Sequence, residues 1–258
     1  DLKIRYINQL LQCGFDTIDF GSFVSPKAIP QLSDTAAVLD KLELSTSKLL
    51  AIVANKRGAE DALNFEEIQY LGFPFSISET FQQRNTNSSI TEAFKNVEAM
   101  QNMVSKKNKE LVVYLSMGFG NPYGDEWSPE TVISWSDKLH KELGVKILAL
   151  SDTIGCATTD LVGDLFRQLI PSLTAVEFGA HLHTVPENAE SLVEAAYTNG
   201  CRRFDGAIKG YGGCPMAADS LTGNMPSEAI LSYLNKHGID HGIDPMLYAE
   251  ATVLSSSV

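Results

Sequence analysis

The sequence predicts an α/β chain of the (β/α)8 TIM-barrel class, with the first strand missing from the 258 residues. Three observations predict it. Short β-rich apolar runs recur roughly every 25–35 residues, with amphipathic helical patterns between them. The runs are nearly continuous in apolar residues, as strands covered on both faces must be. No G-x-G-x-x-G or Walker segment follows any run, which argues against an open nucleotide-binding sheet.

Taken in order, DLKIRYINQLLQCG places Leu2, Ile4, Ile7, Leu10 and Leu11 mostly on one helical face, and Gly14 ends it. Strands are expected at 17–23, 49–55, 67–78, 110–119, 146–155, 175–183 and 201–210. Between them QLSDTAAVLDKLE, RGAEDALN, SSITEAFKNVEAMQNMVSKKN, SPETVISWSDKLHKELG, TTDLVGDLFRQLI and PENAESLVEAAYTNG read as helices. PSEAILSYLNKHG reads as the last helix. Seven strands opened by a helix leave a closed barrel one strand short, so a strand is expected to precede Asp1. Neither a linker nor a low-complexity segment divides the chain, and residues 1–258 are expected to form a single catalytic domain.

Composition narrows the partners. The formal net charge is −12, with 32 acidic against 20 basic residues, which excludes nucleic acid and anionic membranes as general partners. No apolar run reaches membrane-spanning length and no signal peptide opens the chain. Cys13, Cys156, Cys201 and Cys214 show no C-x-x-C spacing, so a reduced, cytoplasmic protein is expected.

Barrel enzymes place their chemistry at the carboxyl ends of the strands. Here those ends carry Asp19, Ser22 and Ser25; Ser76, Ser78 and Glu79; Ser116; Ser151, Asp152 and Thr153; His181 and His183; Asp205 and Lys209. On a strand, residues i and i+2 share a face, so His181 and His183 can aim two imidazoles at one point. Alone the pair is equally well two polar residues where a strand stops. In company with so many carboxylate and hydroxyl ends, it points to a divalent ion with open positions, Mg2+ or Mn2+ rather than structural zinc. The Gly-rich segment 210–224, GYGGCPMAADSLTGN, places Cys214 in a loop of the kind that closes over substrate. Asn224 ends that segment, able to cap the next helix or to reach an ion.

FGSFVSPKAIPQLSD (20–34), SISETFQQRNTNSSITEAF (76–94), SDTIG (151–155), the histidine pair and GYGGCPMAADSLTGN resemble the hydroxymethylglutaryl-CoA lyase family in order and spacing. The resemblance implies retro-Claisen cleavage of 3-hydroxy-3-methylglutaryl-CoA, or a close 3-hydroxyacyl-CoA, to acetyl-CoA and acetoacetate. That chemistry belongs to leucine degradation and ketone-body formation, with an acyl-CoA as partner and a homodimer as the expected assembly. It further implies that His181, His183 and Asn224 hold Mg2+ or Mn2+, and that His181 also removes the hydroxyl proton. Cys214 would protonate the departing enolate, with Asp152 also catalytic. Asp19 (where the family has Glu), Ser78, Glu79 and Glu228 would bind substrate. The family's first strand ends in an Arg-Asp pair, which this chain does not contain at the expected place.

Several residues depart from that pattern. Thr184, Val185, Pro186 and Glu187 follow the histidines in place of Asp-Thr-Tyr-Gly; Asn121 stands where many members have Cys; Gly206 follows Asp205 in place of Ser; and Lys209 replaces a small residue. They leave three other functions open: a Schiff-base aldolase built on Lys209, a Claisen-type synthase of the same superfamily, and a non-catalytic acyl-CoA-binding barrel.

Overall fold

The structure is a computed structural model, and it describes residues 2–213 and 222–257. Seven strands form one sheet in chain order: β1 (Thr17–Ser22), β2 (Lys48–Ile52), β3 (Ile68–Ser76), β4 (Glu110–Ser116), β5 (Ile147–Asp152), β6 (Glu177–Leu182) and β7 (Arg203–Asp205). The pairs β1–β2, β2–β3, β4–β5, β5–β6 and β6–β7 are parallel, and every crossover runs through helix. A sequential order without reversal is that of a β/α barrel; a doubly wound sheet reverses at a switch point.

The chain divides into two compact units: Asp1–Phe73 with Asn102–Glu110 and Asp240–Val258, and Pro74–Gln101 with Leu111–Ile239. In the first, helix α1 (Leu2–Gln12) buries Ile7 and Leu11 and packs against a carboxyl-terminal helix, Pro245–Leu254. Gly14 ends α1 with φ +95°, where an added Cβ would meet the Gly242 carbonyl oxygen at 2.3 Å. This unit also holds α2 (Thr35–Leu39) and α3 (Lys56–Ala62).

The second unit holds β4 from Leu111 onward, β5 to β7, and helices α4 (Glu79–Thr86), α6 (Pro129–Leu143), α7 (Thr159–Ser172), α8 (Pro186–Thr198) and α9 (Ser227–Lys236). Helix α5 (Ile90–Lys106) begins in this unit and ends in the first. β5 is buried along its whole length, as a central parallel strand of apolar residues should be. The helix boundaries follow local chemistry. Ser128 accepts the Thr131 amide and Pro129 takes the first turn of α6, while Gly144 closes it in the left-handed conformation (φ 73°).

Three expectations are corrected. The last strand ends at Asp205 rather than 210, because the chain turns through a short 3-10 helix, Ile208–Gly210, with Lys209 at φ 60°. Helix α4 was not expected, since ETFQQRNT has almost no apolar periodicity. α9 is not the last helix: Asp244, accepting the Met246 and Leu247 amides, and Pro245 start α10 (Pro245–Leu254). No helix among the described residues is long and apolar enough to cross a membrane.

Candidate active site

The histidine pair lies where β6 ends, entirely within the second unit. His181 is flanked in register by Ser151 of β5 and Asp205 of β7. One residue past the strand, the His183 amide donates to the Asp152 carbonyl at 3.1 Å, so the pairing with β5 continues. The two imidazoles lie on one face with ring centroids 5.6 Å apart, and Tyr114 of β4 packs edge-on to His181 at 5.0 Å.

Each ring is held from behind by its Nδ1. His181 Nδ1 lies 3.1 Å from Asp205 Oδ2, and His183 Nδ1 lies 3.0 Å from the Thr222 carbonyl oxygen. A carboxylate and a carbonyl only accept, so Nδ1 carries the proton in both rings. In the neutral form of such a ring the lone pair is on Nε2, which no hydrogen bond engages among the described residues. His183 is almost fully buried, and burial pushes its pKa down, helped by the neighbouring His181 and opposed by the Thr222 carbonyl. A neutral imidazole with an outward lone pair is the form that ligates metals.

Asn224 reaches the same place by its backbone, pairing with His183 in an antiparallel bridge. Its Nδ2 donates to the Tyr211 carbonyl at 2.7 Å, which leaves Oδ1 as an acceptor. It does not cap α9, whose first turn has no side-chain cap. Gly212 is required beside it, since a Cβ there would come within 2.6 Å of Asn224 Nδ2. No three His, Cys, Asp or Glu side chains among the described residues gather into a metal site. The donor set on offer is therefore two imidazoles and an amide oxygen, which fits a divalent cation that keeps open positions.

Four other residues expected at the site, Asp152, Ser78, Glu79 and Glu228, have hydrogen-bond partners of their own. Asp152, 1 % exposed, accepts the amides of Gly155 and Cys156 at 3.0 Å and of Ala157 at 2.8 Å, and so builds the turn after β5. That turn receives Thr222, whose hydroxyl donates to the Ile154 carbonyl at 3.1 Å. Asp152 thus supports His183 through its own carbonyl and through the turn that holds Thr222. Cys156 rests against the Phe119 carbonyl and the Asp152 carboxylate, and burial together with that carboxylate pushes its thiol up to about 12.

Ser78 caps α4, accepting the Phe81 amide and donating to Asp125 Oδ2 at 2.5 Å. Glu79 accepts the Ile90 amide at the start of α5. Glu228 grips the Lys209 amide with both oxygens, at 3.1 and 2.9 Å, and so supports its left-handed backbone. Asp19 lies on β1 in the first unit and is exposed. Cys214 falls outside the described residues.

The structure thus brings together His181, His183, Asn224 and the Asp152 turn, and leaves Ser78 with Glu79, and Glu228 with Lys209, in separate local networks. In the sequence Asp205 is one of many polar strand ends, with nothing to mark it as the partner of His181. Thr222 carries no side-chain signal, because its contribution to His183 is a main-chain carbonyl.

The strand order and the histidine-centred strand ends define a β/α-barrel enzyme. The chain belongs to the HMGL-like family, whose model matches residues 1–253. It is 35% identical to a hydroxymethylglutaryl-CoA lyase of Bacillus subtilis, over 92% of this chain and 79% of that protein. A Pseudomonas aeruginosa 3-hydroxy-3-isohexenylglutaryl-CoA/hydroxymethylglutaryl-CoA lyase is 30% identical over 94% of this chain and 80% of its own. Among solved structures, an HMG-CoA lyase of Acinetobacter baumannii in complex with coenzyme A and 3-methylmalate superposes with a TM-score of 0.88 at 29% identity, over 97% of this chain and 81% of that one.

Proposed function

We propose that this protein cleaves 3-hydroxy-3-methylglutaryl-CoA to acetyl-CoA and acetoacetate. The observation that carries the reading is the pair of imidazoles with both Nδ1 atoms engaged and neither Nε2 hydrogen-bonded among the described residues, with Asn224 bridged to His183, in a chain of this family. In the reaction the C3 hydroxyl loses its proton, the C2–C3 bond breaks to leave acetoacetate, and the enolate of acetyl-CoA takes a proton at C2. A divalent ion, when bound by His181, His183 and Asn224, supplies polarisation of the substrate hydroxyl and carboxylate oxygens.

The protein's own residues divide the rest. With Nδ1 of His181 held by Asp205, ligation and proton acceptance both fall on its Nε2, so a single ring serves one role at a time. His183, buried and kept neutral, is the steadier ligand. We assign the returned proton to Cys214. Cys156 contacts Asp152 and Phe119, and we give it no part in the chemistry.

Two of the similar lyases differ in the substrates they are named for: the Pseudomonas aeruginosa protein for the isohexenyl and the methyl compound together, the Bacillus subtilis protein for the methyl compound alone. A longer 3-substituent is accordingly the second substrate to assay. The test is turnover of both acyl-CoA compounds with Mg2+ or Mn2+, before and after chelation, and in Cys214→Ser. Chelation is expected to abolish release of acetyl-CoA, and Cys214→Ser to lower kcat by about 10²–10⁴-fold with little change in KM. Full activity in metal-stripped protein would reject the reading.

A further inference from the structure

His181 is much the more exposed of the two rings, and the side chain that holds it is Asp205. We infer that Asp205 is a positioning residue for this reaction: its carboxylate fixes His181 as the Nδ1–H tautomer and aims Nε2 at the point where His183 and Asn224 converge. The inference concerns the same site as the proposed lyase activity and rests on that reading for its meaning in catalysis.

The placement follows from strand register. β6 and β7 pair in parallel with Gly179 opposite Arg203, Ala180 opposite Phe204 and His181 opposite Asp205. Lateral neighbours in a parallel pair point to the same face, so the imidazole and the carboxylate are side by side without any special loop. Their contact is 3.1 Å, and both side chains remain about one-third exposed, at 32% and 28%. An imidazole open to water on that scale would sample both tautomers and more than one ring orientation. A carboxylate that can only accept removes the choice, since Nδ1 must then donate.

The neighbouring ring gives the contrast. His183 is 5% exposed and takes its acceptor from the main chain, the Thr222 carbonyl, in a segment bridged to it at Asn224. Its orientation is set by burial and backbone, and no side-chain substitution removes its acceptor. His181 has neither protection. Tyr114 covers one side of its ring, and Asp205 supplies the only hydrogen bond to it among the described residues. Outer partners of this kind, a carboxylate behind a ligating histidine, change metal affinity or activity by about 10–100-fold when removed.

The chain has five histidines, so 15N-histidine labelling gives few enough signals for the tautomer of each ring to be read directly. In the metal-free protein His181 and His183 are expected to show protonated Nδ1 and unprotonated Nε2. Asp205→Ala and Asp205→Leu both remove the acceptor, and the Leu variant fills the space in case the Ala variant folds poorly. In either folded variant the His181 signals should move toward the Nε2–H form while those of His183 stay in place. Mn2+ affinity, titrated without substrate, should fall about 10–100-fold. A folded variant that keeps Nδ1–H on His181 and binds Mn2+ within about twofold of the native protein would overturn the inference. So would a native protein whose His181 already carries its proton on Nε2. Neither measurement needs substrate: a protein with the expected tautomers and Mn2+ dependence that fails to cleave the acyl-CoA would reject the lyase reading and leave the role of Asp205 standing.

Discussion

Two polar clusters, one ahead of β3 and β4 in the first unit and one after β6 in the second, differ in what they leave unused. In the first, the Lys109 ammonium donates to the carbonyl oxygens of Phe65 and Glu66 at 2.7 and 3.3 Å, and to that of Ile68. An ammonium has three protons and no lone pair, so nothing remains with which to bind or react. A cavity of about 410 Å³ is lined by Lys109 and its neighbours, yet it offers no unused chemical group from that lysine. In the second cluster the hydrogen bonds are equally local, but among the described residues each imidazole is hydrogen-bonded on one nitrogen and not on the other. The difference between a structural knot and a candidate reactive site here is one of valence left over among the described residues, and cavity volume does not report it.

That contrast can be broken most directly at His183. His183→Ala removes a proposed ligand and strands the Thr222 carbonyl, which is held at the end of the Gly-rich segment. Mn2+ affinity is expected to fall by more than the roughly 10–100-fold produced by loss of an outer partner, and acyl-CoA cleavage to fall with it. Binding of Mn2+ at native strength in this variant, read by calorimetry, would show that the open nitrogens are not ligands.

The converse substitution is Lys109→Met. It leaves three carbonyls in the first unit without their donor while filling much of the same space. The expected loss is about 1–3 kcal/mol of stability, toward the lower end because water reaches the site. For a chain of this size each kcal/mol lowers Tm by roughly 2–4 °C. Turnover and Mn2+ affinity should be unchanged in the folded variant. A variant of native Tm but reduced turnover would reverse the assignment of the two clusters.

Much of the fold was legible because strand starts and helix caps are written in side chains. The runs expected from 17, 49, 67, 110 and 146 begin within one residue of β1 to β5. Strand ends were harder. Ile208 looks like more strand, but the turn at Lys209 depends on a left-handed backbone that the Glu228 carboxylate supports from 19 residues away. α10 was legible and overlooked, since Asp244-Pro245 is a plain start signal. At the site, His181, His183 and Asn224 stand out in the chain as candidates, and the structure brings them together. What orients them does not stand out: Thr222 acts through a carbonyl, which has no side-chain signature, and Asp205 acts through a lateral register that only the assembled sheet sets.

The smallest effect expected is at Asp125, which stands between the two extremes. Its carboxylate accepts the Ser78 hydroxyl and both the amide and hydroxyl of Thr80, so it holds the segment after β4 onto the first turn of α4. The Ser78 hydroxyl first, and then the Thr80 donors, hold its pKa below the ordinary carboxylate value. A carboxyl whose pKa is lower folded than unfolded stabilises the protein above the unfolded value near ~3.9, and that contribution is lost as pH falls through the folded value. Asp125→Ala should therefore lower stability by about 1 kcal/mol or less at neutral pH, as loss of a helix cap does. The gap to the native protein should close as the pH is taken downward from about 4. Denaturant titrations of both proteins from neutral to acid pH measure that gap. A constant difference at every pH would mean that Asp125 acts by shape, and that the network around Ser78 depends on packing rather than on its charge.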